Sequence, residues 1–139
     1  MHHELEKLAD TLHVSEATTI NGWLEPEDAQ RIIRTSDIFV MPSFSESFGV
    51  AAAEASSYGL PVIASDVGGV PEIVRDGETG ILIQPGDEAG LAEAIRRLAK
   101  DEKLRRSMGE AGRRLVAEKY DFEKCLDMME RIYRKILAA

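Results

Sequence analysis

A single cysteine in 139 residues, Cys125, excludes an internal disulfide and cannot by itself build a tetrahedral zinc site, a pattern that fits a reducing compartment. No apolar run reaches the roughly 18 residues that a membrane-spanning helix needs. The start, Met1-His2-His3-Glu4-Leu5, lacks a cationic segment followed by an apolar stretch, so cytoplasm is the expected location. Basic residues are also few. Seventeen of them stand against 25 acidic ones, a net charge of -8, which argues against a broad footprint for nucleic acid or anionic lipid. His2, His3 and His13 cluster near the start without a surrounding set of carboxylates and cysteine, so no metal site is expected. What remains is an ordinary globular balance, 44% hydrophobic and 30% charged, in a length that suits one domain.

Periodicity supplies the elements. Leu5, Leu8, Ala9 and Leu12 mark one helical face, and Thr18-Thr19-Ile20 is a short β-prone stretch closed by Asn21-Gly22. Pro26, Glu27 and Asp28 suit the first turn of a short helix, and Asp37 to Pro42 reads as a strand apolar enough to be buried on both faces. Phe48 to Tyr58 is a helix of small residues, able to let its backbone pack close to a sheet. Leu60 to Ser65 and Gly80 to Ile83 are further strands, and apolar stripes from Leu91 to Leu137 make the remainder helical, including the C-terminal part from about 101 to 139. Strands alternating with helices predict an α/β fold with a parallel sheet flanked by helices.

In such sheets ligands bind beyond the carboxyl ends of the strands, so the loops after Met41, Ser65 and Ile83 are where chemistry is sought. The first loop carries Ser43, Ser45, Glu46, Ser47, Phe48 and Gly49 just before the small-residue helix. Its serines read either as helix caps or as part of an anion site, because amides at a helix start bind phosphate and Gly49 admits a ligand close to the backbone. Glu46 suits neither a cap nor a core. Glu54, among alanines, is either a helix-surface residue or an acceptor for a pair of sugar hydroxyls. Gly68-Gly69 permits a tight turn or a close backbone approach, and Gln84-Pro85-Gly86-Asp87 reads as a turn plus helix cap. Cys125 fits a buried or partly buried thiol on the last helix rather than a nucleophile.

Taken together, Pro42-Ser43-x-x-Glu46-x-Phe48-Gly49-x4-Glu54-Ala55, then Gly59-Leu60-Pro61-Val62-Ile63-Ala64-Ser65-Asp66-Val67-Gly68-Gly69-Val70-Pro71-Glu72, then Asp76-Gly77-x-x-Gly80-x-Leu82, closely resembles the C-terminal donor-binding domain of retaining glycosyltransferases of the GT-B fold, the group 1, family 4 type. The resemblance runs from about Leu5 through the last helix. It implies a Rossmann-like sheet that binds a nucleotide-diphosphate sugar as donor substrate, with no separate cofactor. It further implies that Glu46 lies beside the donor sugar, positioning it without being an assigned nucleophile. By the same resemblance Glu54 binds the ribose, the backbone from Ser47 through Phe48, Gly49 and Val50 contacts the diphosphate or sugar, and Trp23 and Leu24 border the base.

The pattern also has departures. Family members carry two further β-α units upstream, with a Gly-Arg and a later Lys that neutralise the diphosphate, and an N-terminal acceptor domain. No such cation pair stands in a post-strand loop here, and Arg31 and Arg34 read as surface residues. The expectation is therefore one incomplete donor domain over residues 1–139, inactive as an isolated chain, with a noncatalytic nucleotide-binding or assembly module as the alternative. With the strand order 3-2-1-4-5-6, the units present are the third to the sixth. The strand at Thr18 to Asn21 is then expected to re-pair beside Ile38 to Met41 or to be covered by another copy, which points to a homodimer.

Overall fold

The computed structural model describes residues 2–138. Contacts divide the chain into two compact units, Met1–Ile32 and Ile33–Ala139. In the first, α1 (His2–Thr11) is followed by a single 3-10 turn over Ser15–Ala17, and α2 (Pro26–Arg34) begins there with the expected proline and two acids, while its last two residues, Ile33 and Arg34, fall in the second unit. Ala9 is the buried residue of α1, whereas Leu5, Leu8 and Leu12 of the same stripe are about half exposed. The strand expected at Thr18 to Asn21 does not form. Thr18 has extended backbone angles, but no ladder includes it, because extended residues become a strand only when a neighbour takes up their backbone hydrogen bonds.

The second unit is an α/β fold with a small parallel sheet flanked by helices. Its elements are β1 (Phe39–Met41), α3 (Val50–Ser57), β2 (Val62–Ser65), α4 (Val70–Ile73), β3 (Gly80–Ile83), α5 (Glu88–Lys100), α6 (Glu102–Lys119) and α7 (Phe122–Leu137). The strands lie in the order β1-β2-β3, all parallel, with Phe39 opposite Val62 and Val62 opposite Gly80. All four residues of the central β2 are buried, as its unbroken apolar run requires. Val62 and Ala64 face one cluster with Ala52, Ala55, Val70 and Ile73, while Ile63 joins Ile83, Ala94, Leu98 and Met108 in the other. The alternation of side chains along a strand thus gives each face of the sheet its own core.

Three aspartates start the long helices. Asp87, Asp101 and Asp121 accept hydrogen bonds from the amides of Gly90, Leu104 and Lys124 at 2.8, 2.9 and 3.0 Å. The last stripe, Leu126 to Leu137, forms the expected helix, but Leu126, Ile132 and Ile136 are between 44 and 66% exposed, and none of the described residues of α7 belongs to either core. Cys125 on that helix is partly buried, with its thiol 3.9 Å from the carbonyl of Lys119.

The small residues of α3 serve a second purpose that spacing alone did not show. They pack against α6 as well as the sheet, and a Cβ on Gly109 would stand 1.9 Å from the carbonyl oxygen of Gly59. Backbone cannot yield as a flexible side chain can, so the two helices meet this closely only with glycine there. We predict that Gly109→Ala destabilises the fold by about 1–3 kcal/mol despite alanine's better helix propensity. Arg113→Ala, at an exposed position of the same helix, is expected to stay within about 0.5 kcal/mol in the same urea titration.

Candidate functional site

The three loops at the carboxyl ends of the strands meet. A Cβ on Gly68 would fall 1.7 Å from the carbonyl oxygen of Glu46, and one on Gly69 would fall 2.7 Å from that of Ser47. The Gly69 amide donates to the Ser47 carbonyl at 3.0 Å, so the second loop lies backbone to backbone on the first. Gly68 also has φ +53°, a conformation in which a side chain is strained. Both readings of the glycine pair, a turn and a close approach, therefore hold together. The third loop joins at its tip, where a Cβ on Gly86 would stand 3.3 Å from the ring of Phe44.

Gly49 is the N-cap of α3, in the left-handed region at φ 90°, and no side chain caps the helix. The serines of the first loop are thus not its caps. The first helical bond runs from the Ala53 amide to the Gly49 carbonyl at 3.0 Å, which leaves the preceding amides of the first turn without a capping acceptor. Together with the positive end of the helix dipole, those amides can accept an anion. Gly49 is buried against Val70, Ile73 and Met41, while Val50 is 69% exposed. The helix start is therefore anchored on one side and open on the other.

Glu46 is partly buried, and its Oε1 accepts from the Ser47 amide at 3.0 Å. Glu54 is also partly buried on α3, where the Tyr58 hydroxyl donates to its Oε1 at 3.3 Å. Trp23 and Leu24 belong to the first unit, and Trp23 is 80% exposed. Among the described residues, no group of three or more His, Cys, Asp or Glu is placed to hold a metal ion, and no helix is long and apolar enough to cross a membrane.

Sequence reasoning missed the tyrosine that holds the first loop down. Tyr120, just past α6, meets Phe48 edge to face with ring centroids 5.3 Å apart, and its hydroxyl donates to the Glu72 carbonyl at 3.4 Å. It joins the first loop to α4. Burial, and secondarily the negative charge of Glu72, raises this phenol above its ordinary value near 10. No local signal links Tyr120 to Phe48. The Glu54–Tyr58 pair was more accessible, since residues four apart on a helix are neighbours.

The sequence model for glycosyl transferases group 1 matches residues 1–115. The chain is 36% identical over 131 residues to N-acetyl-alpha-D-glucosaminyl L-malate synthase of Bacillus anthracis, covering 94% of this chain and 34% of that protein. Among solved structures, sucrose-phosphate synthase from Thermosynechococcus elongatus superposes with a TM-score of 0.88 at 34% identity, covering 98% of this chain and 34% of that one. HepE of Anabaena, solved in complex with UDP, shares the fold with a TM-score of 0.85 at 22% identity, over 99% of this chain and 36% of its own. The chain thus spans about a third of the length of the proteins it matches.

The raised Tyr120 value has a testable consequence for stability. The unfolded phenol ionises first, so the contribution of Tyr120 is complete below pH 10 and is lost as pH rises toward and through the folded value. Denaturation midpoints measured from pH 8 to pH 11 are expected to fall less steeply for Tyr120→Phe than for the unaltered chain. Equal slopes would contradict the assignment.

Proposed function

The chain belongs to the glycosyl transferases group 1 family and carries part of a GT-B donor-side domain, and from that premise we propose that it binds a nucleotide-diphosphate sugar for retaining transfer to an acceptor held by a separate N-terminal domain. The observation that carries the reading is the uncapped start of α3, which follows the Glu46 loop at the carboxyl end of the sheet, the loop on which Gly68-Gly69 lies. The exposed amides at Val50 and Ala51 suit a diphosphate, whose charge the helix dipole stabilises. HepE, of the same fold, is a UDP-binding precedent.

In this reading the carboxylate of Glu46 accepts from donor-sugar hydroxyls and that of Glu54 from the ribose hydroxyls. Backbone from Ser47 to Val50 holds the diphosphate. Transfer breaks the bond between the sugar's anomeric carbon and the diphosphate oxygen and forms one from the acceptor oxygen on the same face. The acceptor proton leaves with the nucleoside diphosphate, and Glu46 orients the sugar without bonding to it. Residues 1–139 form one incomplete donor domain in this account. Cations that neutralise the diphosphate and a cleft that orients the acceptor would both contribute heavily to lowering the barrier, and neither is assigned to residues 1–139.

A second copy of the chain is a further proposed partner, because β1 has one strand neighbour among the described residues, β2, and an open edge favours strand addition. Light scattering is expected to show dimer at high concentration, and monomer throughout would remove that partner. For the donor site, Glu54→Ala is expected to weaken UDP binding by about 10- to 100-fold, the loss of hydrogen bonds to a charged group. Isothermal calorimetry measures this, and unchanged affinity would assign Glu54 to the helix surface. The isolated chain is expected to show no sugar transfer; robust turnover in a donor-hydrolysis and transfer assay would overturn that part of the account.

A further inference from the structure

We propose, resting on the ribose role given to Glu54 above, that Tyr58 and Arg34 are positioning residues for that carboxylate. The Arg34 guanidinium lies over the Tyr58 ring, 4.6 Å from its centroid, and its Nη2 donates to the phenol oxygen at 3.3 Å. The phenol in turn donates its own proton to Glu54 Oε1 at 3.3 Å. The three groups therefore form a directed series from cation through hydroxyl to carboxylate, in which each hydrogen bond polarises the next.

The series meets a specific need. An unrestrained glutamate on a helix flank samples several rotamers, and ordering it opposes ligand binding. Of the side chains three and four residues away on α3, Val50 and Ala51 offer no donor, and the Ser57 hydroxyl donates to the Glu54 backbone carbonyl at 2.6 Å. Tyr58 alone among them reaches the carboxylate. It occupies Oε1 and leaves Oε2 and the remaining lone pair of Oε1 for the two adjacent hydroxyls of a ribose. Both contacts are longer than the commonest hydrogen-bond spacing, so the series biases the carboxylate toward one rotamer and lets it tighten on a ligand.

Arg34 also contributes through its position. It ends α2, whereas Glu54 belongs to α3 and Tyr58 is the C-cap of that helix, so the stacked guanidinium fixes the ring against an element other than the one that carries it. Arg34 and Tyr58 border a cavity of about 220 Å³ with Asp37, Glu102, Arg105 and Arg106. In that cavity Arg106 is paired with Glu102 at 2.6 Å, and Arg105 donates to the carbonyls of Leu98 and Ala99. Of these three arginines, Arg34 is thus the one whose partner, Tyr58, leads to the carboxylate of Glu54.

The test compares UDP with 2′,3′-dideoxy-UDP by calorimetry and reads the Glu54 side-chain proton couplings by NMR in the ligand-free chain. The couplings are expected to report one dominant rotamer, and averaging in Tyr58→Phe. Tyr58→Phe is expected to weaken UDP by about three- to tenfold, the worth of one hydrogen bond, and to leave dideoxy-UDP unchanged. Arg34→Ala is expected to act in the same direction and more weakly. In a Glu54→Ala background, Tyr58→Phe should have no further effect. Averaged couplings in the unaltered chain, or equal weakening of both nucleotides by Tyr58→Phe, would overturn the positioning role. If Glu54→Ala leaves UDP affinity unchanged while the couplings report one rotamer, the ribose reading fails although the carboxylate is ordered. If Glu54→Ala weakens UDP and Tyr58→Phe does not, the ribose reading stands and the positioning role falls.

Discussion

The placement of α3 governs the rest of the second unit. Its backbone must lie close to α6 on one side and to the sheet on the other, and Gly109, set against the carbonyl of Gly59 just past α3, permits the first approach while Ala52 and Ala55 permit the second. Because a side chain at Gly109 would collide with backbone rather than with a yielding side chain, the helix has little freedom to shift. Its start is therefore delivered to a defined place at the end of the sheet, with Gly49 pinned against Val70, Ile73 and Met41.

Three consequences follow from that placement. The first loop lies over the second closely enough for Ser47 and Gly69 to share a hydrogen bond, and Tyr120 clamps Phe48 from the end of α6. Glu54 is carried by α3 itself and Glu46 by the loop that leads into it, three residues before the N-cap Gly49. The uncapped helix start lies between them in sequence, which is why amide donors and hydroxyl-accepting carboxylates can serve one ligand. Arg34 and Tyr58 extend the arrangement to the side chain of Glu54 itself.

Much of this was legible in the sequence. The parallel α/β class, the β3 bounds at Gly80 and Ile83 and the Asp87 cap all follow from apolar runs and turn chemistry, which act locally, whereas β1, expected to be buried on both faces, is only partly buried, with Val40 37% exposed. That the three post-strand loops come together was legible because strand direction alone decides which end of a parallel sheet gathers them. Contacts between residues distant in the chain were not legible. Neither Gly109 against Gly59 nor Tyr120 against Phe48 leaves a local pattern. The β-prone residues from Thr18 to Asn21 misled for the opposite reason, since their propensity is local while a strand needs a partner. The apolar stripe of α7 has helical periodicity, yet Leu126, Met129, Ile132 and Ile136 remain exposed.

The central claim is that the start of α3 and the glycine loop beside it form a nucleotide-diphosphate site. It is tested most directly by titrating ¹⁵N-labelled chain with UDP, GDP and ADP and following each backbone amide. The account predicts saturable shifts for at least one nucleotide, largest at Gly49, Val50 and Ala51 and at Gly68 and Gly69. Shifts confined to the cavity around Arg105 and Arg106, or none with any of the three at millimolar concentration, would contradict it.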